Sequence, residues 1–291
     1  MFELPNFPLL PAVVVQDGLA HSGESKRGGH QLALSKECDR AWALKYDIGV
    51  ERAEVPPLDD KVPAWALGTV VHQWLANYYA QQLGVSVLAP NAAAEKRAAE
   101  LGYPQAAKPA SDLALEFVRF VEREKPQWRV VSVEPQIECD FGAAGVFTSG
   151  ADIVFRDDST GELIIVDWKT AGRLVSNPTY EYSSQYLRYR MILHRHATLQ
   201  GLRPDWGKVF VGLIPTGKTN RHKRALIECP FYPSMTARLV EQTRDDLLYL
   251  QSLEADPEAA LQRPKVGQWC HGPYSGCPYR REWCFNDGQT K

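Results

Sequence analysis

The sequence lacks the features that identify a membrane-spanning or secreted protein. Its 291 residues contain no apolar run close to the roughly 20 residues that a membrane helix needs. The first residues, MFELPNFPLLPAVVVQ, have neither a basic beginning nor a small-residue cleavage site, so we expect no signal peptide. We therefore expect no membrane association and a cytoplasmic setting, bacterial or in a phage-infected host. Clustered cysteines in that compartment more often bind metal than form disulfides.

A strong charge imbalance is also missing. The formal net charge is −2, from 33 Lys and Arg against 35 Asp and Glu. A nucleic-acid partner would therefore need a local basic surface, because the chain as a whole does not attract polyanions. Internal repeats and low-complexity tracts are absent as well, and 44% hydrophobic with 23% charged residues is an ordinary globular composition.

The residue patterns predict a mixed α/β fold with one central sheet. Helical patterns, the first with Ser35 as a plausible N-cap, occupy residues 35–46, 65–84, 92–101, 111–124, 180–198 and 234–253. Short β-branched segments bounded by turn residues predict strands at 129–141, 150–157, 162–170, 207–215 and 223–229.

We expect one domain over residues 31–291, after a loosely ordered extension at 1–30. That domain divides into a helical part, a sheet core and a C-terminal part, at residues 31–128, 129–230 and 231–291.

The segment GADIVFRDDSTGELIIVDWKT predicts a β-hairpin with unusual chemistry. Asp167 and Lys169 are two residues apart, so they lie on one face of a strand, with Trp168 on the other. A hairpin symmetric about Ser159 and Thr160 places Asp152 directly opposite Asp167.

Opposed carboxylates are destabilising unless a cation lies between them. A divalent metal together with Lys169 would supply that compensation. The alternative is a solvated face with an incidental Asp–Lys pair, although the apolar residues before Asp167 are typical of an interior strand.

These residues resemble the PD-(D/E)XK nucleases, in their RecB-like exonuclease branch. The likeness rests on Asp152 and the run Asp167-Trp168-Lys169 in a strand–turn–strand context, on His72 in the helical stretch GTVVHQWLANYY, and on Gln185 and Tyr189, which match a Q-x-x-x-Y helix motif. Two departures are the spacing Gly150-Ala151-Asp152 and an Asp at position 167 where many relatives carry Glu. The resemblance implies a restriction-endonuclease-like core with a central mixed sheet flanked by helices.

The resemblance also implies roles for these residues. Asp152, Asp167 and His72 would bind Mg²⁺ or Mn²⁺, with Glu134 as a lesser metal candidate. Lys169 would orient the attacking water and stabilise charge on the phosphate. Gln185 and Tyr189, four residues apart on one helical face, would contact Lys169 or the DNA backbone.

Three late cysteines stand seven residues apart in WCHGPYSGCPYRREWC, and thiolate sites normally take four ligands. Cys139 and Cys229 lie in predicted strands and are most simply small buried hydrophobes, which leaves Cys38. Some RecB-like nucleases, AddB-like and CRISPR adaptation exonucleases among them, join one early and three late cysteines on a [4Fe–4S] cluster. That likeness implies a C-terminal clasp, with Zn²⁺ as the chemical alternative, formed by Cys38, Cys270, Cys277 and Cys284.

The segment GLIPTGKT matches a phosphate-binding loop literally, but a β-strand pattern follows it where the loop would need a helix. A β-hairpin with a basic tip is the better interpretation, suited to DNA phosphates or simply solvated. The tip residues are Lys218, Arg221, Lys223 and Arg224.

The function expected from the resemblance is a metal-dependent DNA nuclease, an exonuclease acting in recombination, repair or CRISPR-type processing. Its partners would be single-stranded DNA or duplex ends, and possible further partners are a second copy of the chain or a recombination protein. The alternative is a non-catalytic DNA-binding module of a replication or recombination complex.

Overall fold

The computed structural model describes residues 34–35, 38–47, 62–172, 183–199, 201–217 and 223–262. The helices in this part of the chain are α1 (Asp39–Tyr46), α2 (Ala64–Gln82), α3 (Pro90–Glu100), α4 (Ala107–Glu124), α5 (Ser184–Leu199), α6 (Pro233–Ala255) and α7 (Pro257–Gln262). The strands are β1 (Trp128–Val133), β2 (Gln136–Asp140), β3 (Val146–Gly150), β4 (Ile153–Asp157), β5 (Leu163–Ala171), β6 (Lys208–Pro215) and β7 (Ala225–Cys229).

A five-stranded sheet in the order β1-β4-β5-β6-β7 forms the centre of the fold. Strands β5 and β6 are parallel, and the other neighbouring pairs are antiparallel. The parallel pair is possible because α5 connects its two strands as a crossover. The prediction of a mixed α/β fold with a central mixed sheet is therefore confirmed. No helix among the described residues is long and apolar enough to cross a membrane.

The predicted strand at 129–141 is wrong as a single element. It is two strands, because Glu134 adopts a left-handed backbone conformation with φ 47° and Pro135 follows it. β1 then pairs with β4 in the main sheet, whereas β2 pairs with β3 in a separate two-stranded sheet. The predicted strand at 150–157 is likewise interrupted between Gly150 and Ile153, and Asp152 lies in that interruption.

The first helix begins later than predicted. Leu34 and Ser35 are themselves helical, so Ser35 does not cap α1. Cys38 is the N-cap, with an extended backbone at φ −165° and ψ 110°. Its side chain is buried in a small apolar cluster with Ala41 and Leu44, to which Leu261 of α7 also packs. Helix α7, which the sequence patterns did not predict, thus meets α1.

Helices cover both faces of the central sheet. The side chains of Ile164, Val166 and Trp168 on β5 pack with α2, α3 and α4 in one core. Ile165, on the opposite face of β5, packs with α5 and α6 in the other. Because strand side chains alternate, Asp167 shares the face of Ile165 and is directed toward α5.

A close approach brings α2 to the end of β5. A Cβ atom on Gly68 would lie 2.6 Å from Thr170 Oγ1, so only glycine allows this distance without a shift. His72 follows Gly68 by one helical turn on the same face. The packing therefore brings the His72 imidazole beside Asp152.

Candidate active site

Two backbone hydrogen bonds hold Asp152 in place. The Trp168 amide donates a hydrogen bond of 2.5 Å to Asp152 Oδ2, and the Glu134 amide donates one of 2.9 Å to the Asp152 carbonyl. Strands β4 and β5 pair with Ile153 opposite Val166, which makes Asp152 and Asp167 the next opposed positions. The hairpin register predicted from the sequence is therefore confirmed.

The His72 imidazole lies beside Asp152, with Nδ1 3.4 Å from Asp152 Oδ1. Burial opposes protonation of His72, but the charge and contact of Asp152 together with the charge of Asp167 outweigh burial and raise the His72 pKa. Burial likewise disfavours the ionised form of Asp152, yet the His72 charge and contact hold the Asp152 pKa below its usual range. The two side chains form a mutually stabilised pair.

Asp167 is almost fully buried, with 3% of its surface exposed. Burial and the charge of Asp152 raise its pKa, although Lys169 opposes this with Nζ 2.6 Å from Asp167 Oδ2. The alternative of a solvated face with an incidental Asp–Lys pair is therefore wrong, because Asp167 lies in the interior. Lys169 is partly exposed and connects that buried carboxylate to the surface.

Helix α5 supplies hydrogen-bond donors to both aspartate regions. Gln185 Nε2 donates to Asp167 Oδ1 at 2.9 Å and to the Tyr189 hydroxyl at 3.1 Å. The Tyr189 hydroxyl donates to the Gly150 carbonyl at 2.5 Å, two residues before Asp152. In this structure Gln185 and Tyr189 thus contact Asp167 and the strand end, where the sequence predicted contacts with Lys169 or DNA.

Tyr186 is a neighbour of Asp167 that the sequence did not predict. Its hydroxyl donates to Asp167 Oδ2 at 3.2 Å, and its side chain is 2% exposed. Burial and the Asp167 charge raise the Tyr186 pKa far above its usual value, so the phenol stays protonated and a donor. No sequence motif indicated Tyr186, because an aromatic residue next to Gln185 looks like an ordinary buried residue on the apolar face of a helix.

Glu134 lines the same narrow pocket as His72, Asp152 and Trp168. Burial and the nearby Asp152 charge raise the Glu134 pKa to about 7. Its positive φ is rare for a residue other than glycine, and backbone conformations of this kind occur frequently at functional sites. The pocket thus adds a third acid to a region that already contains two opposed carboxylates.

The donor set fits a hard divalent cation by its chemistry. Carboxylate oxygens from Asp152, Asp167 and Glu134, with the His72 imidazole beside them, are ligand types that Mg²⁺ and Mn²⁺ accept. Burial, together with the Asp152 charge, raises the pKa values of Asp167 and Glu134, and a bound cation would stabilise the ionised forms of both. Within the described part of the chain, no three His, Cys, Asp or Glu side chains already converge into a metal-binding group.

The family model of the PD-(D/E)XK nuclease superfamily matches residues 30–284 of the chain. The match covers the hairpin, the flanking helices and the central sheet. The chain belongs to this superfamily. Membership implies a phosphodiester hydrolase with a DNA substrate, and the typical metals of the superfamily are Mg²⁺ and Mn²⁺. The observed sheet is consistent with the restriction-endonuclease-like core that the resemblance implied.

Solved structures give weaker likenesses. The structure titled "Crystal structure of SSO0001" shares 15% identity, with a TM-score of 0.31, and the alignment covers 77% of this chain and 94% of that chain. The structure of protein VC1899 from Vibrio cholerae shares 13% identity, with a TM-score of 0.24, over 69% of this chain and 58% of that chain. No curated protein sequence matches the chain.

Other predicted site residues of this superfamily member are only partly described. Cys38 is buried and forms no disulfide, and Cys139 and Cys229 are buried as predicted. Cys270, Cys277 and Cys284 lie outside the described residues.

The basic hairpin tip is also described only in part. Lys218 and Arg221 lie outside the described residues, and Lys223 is exposed. Arg224 forms an ion pair with Glu116 of α4, so its charge is not directed to DNA in this structure. β7 returns antiparallel to β6, which confirms the predicted strands and contradicts a nucleotide-binding strand–loop–helix.

Proposed function

We propose that the chain is a metal-dependent deoxyribonuclease that degrades DNA from its ends. The observation that carries the proposal is that Asp152, directly before β4, lies opposite Asp167 of β5, whose carboxylate contacts Lys169. Two carboxylates at opposed positions are unfavourable for a merely structural hairpin. They become useful where a divalent cation and a phosphate are bound together.

Asp152 and Asp167 would hold Mg²⁺ or Mn²⁺, with His72 and Glu134 as further ligands. When bound, such an ion lowers the pKa of a coordinated water and neutralises charge on the attacked phosphate. The protein contributes rigid ligands, because the Trp168 amide anchors Asp152 and α5 anchors Asp167. Ligands with fixed orientation bind the ion without a large reorganisation.

Lys169 would stabilise the phosphate. Its ammonium lies at the buried Asp167 carboxylate yet remains partly exposed, so it can approach a phosphate bound at the surface. A positive charge at that position favours the extra negative charge that develops as the phosphodiester bond breaks. Gln185 and Tyr189 would hold the site in its geometry, since they contact Asp167 and the Gly150 carbonyl.

The end-directed mode and the biological setting rest on the resemblance to RecB-like and AddB-like exonucleases. We propose a role in DNA recombination, repair or CRISPR-type processing, with single-stranded DNA or duplex ends as substrate.

We also propose that Cys38 joins Cys270, Cys277 and Cys284 on a [4Fe–4S] cluster, with Zn²⁺ as the alternative metal. Support comes from the packing of α1 against α7. The apolar side chains around Cys38 include Leu261, which precedes the late cysteines in the chain. A cluster there would connect segments far apart in sequence, which limits the conformational freedom of the unfolded chain.

The proposed activity is tested with two forms of one labelled DNA, linear duplex and covalently closed circle, in Mn²⁺. We expect the wild type to degrade only the linear form, and Asp167→Asn and Lys169→Met to lose about 100-fold or more of the rate. Lys96→Met is the matched control, because Lys96 is an exposed helical lysine on α3.

Each result has one meaning. Cleavage of the closed circle would contradict the end-directed mode but not the nuclease. Full activity in Lys169→Met would contradict the proposed site. A wild type that binds DNA ends but cleaves neither form would favour the non-catalytic DNA-binding module.

A further inference from the structure

The two oxygens of Asp167 have different surroundings. Lys169 Nζ lies 2.6 Å from Oδ2, and the Tyr186 hydroxyl donates to the same oxygen at 3.2 Å. Gln185 donates to Oδ1 at 2.9 Å. The Tyr189 hydroxyl is 3.5 Å from Oδ1, but its single proton has a much closer acceptor in the Gly150 carbonyl at 2.5 Å.

The contacts of the described residues therefore divide the carboxylate into two roles. Oδ2 receives two donors, an ammonium and a phenol, whereas Oδ1 receives the Gln185 amide. Each carboxylate oxygen can accept about two hydrogen bonds, so Oδ2 is the more fully occupied oxygen. Oδ1 is left as the oxygen better able to bind a cation.

Tyr186 is suited to hold this orientation. Its ring is buried among side chains of the core between the sheet and α5, so the hydroxyl has little freedom to move away. Lys169, in contrast, is partly exposed and carries a long flexible side chain. Of the two donors on Oδ2, the phenol is thus the rigid one.

We propose that Tyr186 is a positioning residue that anchors Asp167 Oδ2 and thereby presents Oδ1 to the catalytic divalent cation. The inference rests on the proposed function for the identity of the ligand, but it concerns cation binding rather than DNA cleavage. Residues that orient a metal ligand in this way typically change metal affinity or activity by about 10–100-fold when they are removed.

The test is Mn²⁺ binding to metal-free protein without DNA, measured by isothermal titration calorimetry. Tyr186→Phe removes only the hydroxyl, and we expect its Kd for Mn²⁺ to rise about tenfold or more. In DNA cleavage, the half-saturating Mn²⁺ concentration should rise by the same factor, while the rate at saturating Mn²⁺ stays within about threefold, because Asp167 itself remains.

Tyr103→Phe is the matched control. Tyr103 is also buried, its ring packs edge-on against Trp65, and it does not line the pocket of Glu134 and Asp152, so this variant should keep the wild-type Mn²⁺ affinity. Tyr186→Phe keeps the buried ring and should fold, and circular dichroism with a urea titration checks the folding of both variants before Mn²⁺ is added.

Failure of the inference and failure of the nuclease proposal are distinguishable. A folded Tyr186→Phe protein that binds Mn²⁺ as tightly as the wild type would overturn the positioning role, whatever its cleavage activity. A wild type that binds Mn²⁺ but never cleaves DNA would overturn the nuclease, and the calorimetry would still decide the role of Tyr186.

Discussion

The backbone amide of Trp168 donates a 2.5 Å hydrogen bond to Asp152 Oδ2. This single bond joins the carboxylate that precedes β4 to the strand that carries Asp167 and Lys169. The Trp168 side chain is directed to the other face, where it packs against Phe117 and Tyr79. Trp168 therefore contacts the candidate site through its backbone amide and the apolar core through its side chain.

Replacing Asp152 by Asn removes the negative charge and keeps the size and shape of the side chain. The Asn oxygen can still accept from Trp168, so the fold should be kept, while the cation loses a charged ligand. We expect Mn²⁺-dependent cleavage of labelled linear DNA to fall about 100-fold or more. The control is Asp158→Asn, because Asp158 is an exposed aspartate in the same hairpin. An Asp152→Asn protein that cleaves DNA as fast as this control would contradict the role of Asp152.

Gly212 is expected to be required for the close packing of Trp168 and Phe117 against β6. A Cβ atom there would lie 2.4 Å from Trp168 Cε3 and 3.0 Å from Phe117 Cζ, and both are ring atoms of a dense core. Gly212→Ala should therefore lower the free energy of unfolding by about 1–3 kcal/mol in urea titration.

The control for Gly212 is Gly172→Ala, directly after the end of β5. At Gly172 the nearest atom to a new Cβ would be Thr216 Oγ1 at 3.7 Å, an ordinary contact. A change within about 0.5 kcal/mol is expected there. Equal destabilisation of the two variants would show that the Trp168 contact is not the cause.

The turn between β4 and β5 should give the fold a sensitivity to acid. Burial disfavours the ionised Asp157, but the Ser159 hydroxyl and amide and the Gln127 side chain donate to it and hold its pKa below the usual value. A lowered folded pKa means that ionised Asp157 stabilises the fold above the unfolded pKa of about 3.9. That contribution is lost as the pH falls through the folded value.

Asp157→Asn should therefore be less stable than the wild type at pH 7, and the difference should shrink as the pH falls below about 4. Urea titrations at a series of pH values measure this directly. Asp158→Asn is the control, since the partners of Asp158 are the exposed side chains of Arg129 and Arg156. A difference that stays constant down to pH 2 would contradict the assignment.

The proposed clasp predicts a colour and a metal content. Protein purified without oxygen should be brown and contain about four iron atoms per chain, and Cys38→Ser or Cys277→Ser should lose them. Cys139→Ser should keep the iron, because Cys139 is buried in β2. Colourless wild-type protein with one zinc ion would replace the cluster by the zinc alternative.

Much of the fold was predictable because its signals are local. Apolar runs on β4, β5 and β6, the turn DDSTGE and the helical periods around His72 and Gln185 need only neighbouring residues to be recognised. The break at Glu134 was not predictable, because a left-handed backbone at a glutamate depends on the sheets that the two flanking strands join. The start of α1 at Asp39, with Cys38 as its N-cap, was not predictable either, because the Cys38 side chain is buried in a cluster to which the distant Leu261 packs.

The sequence by itself determined the identity and spacing of the acidic and basic groups, the register of the hairpin and the family. It did so because opposed positions follow from counting residues outward from a turn. Only the tertiary structure decided which side chains surround those groups. His72 meets Asp152 because Gly68 permits a close approach of α2 to β5, and Tyr186 meets Asp167 because α5 packs across the face shared with Ile165. Such contacts join residues distant along the chain, and they form only when both faces of the sheet are packed.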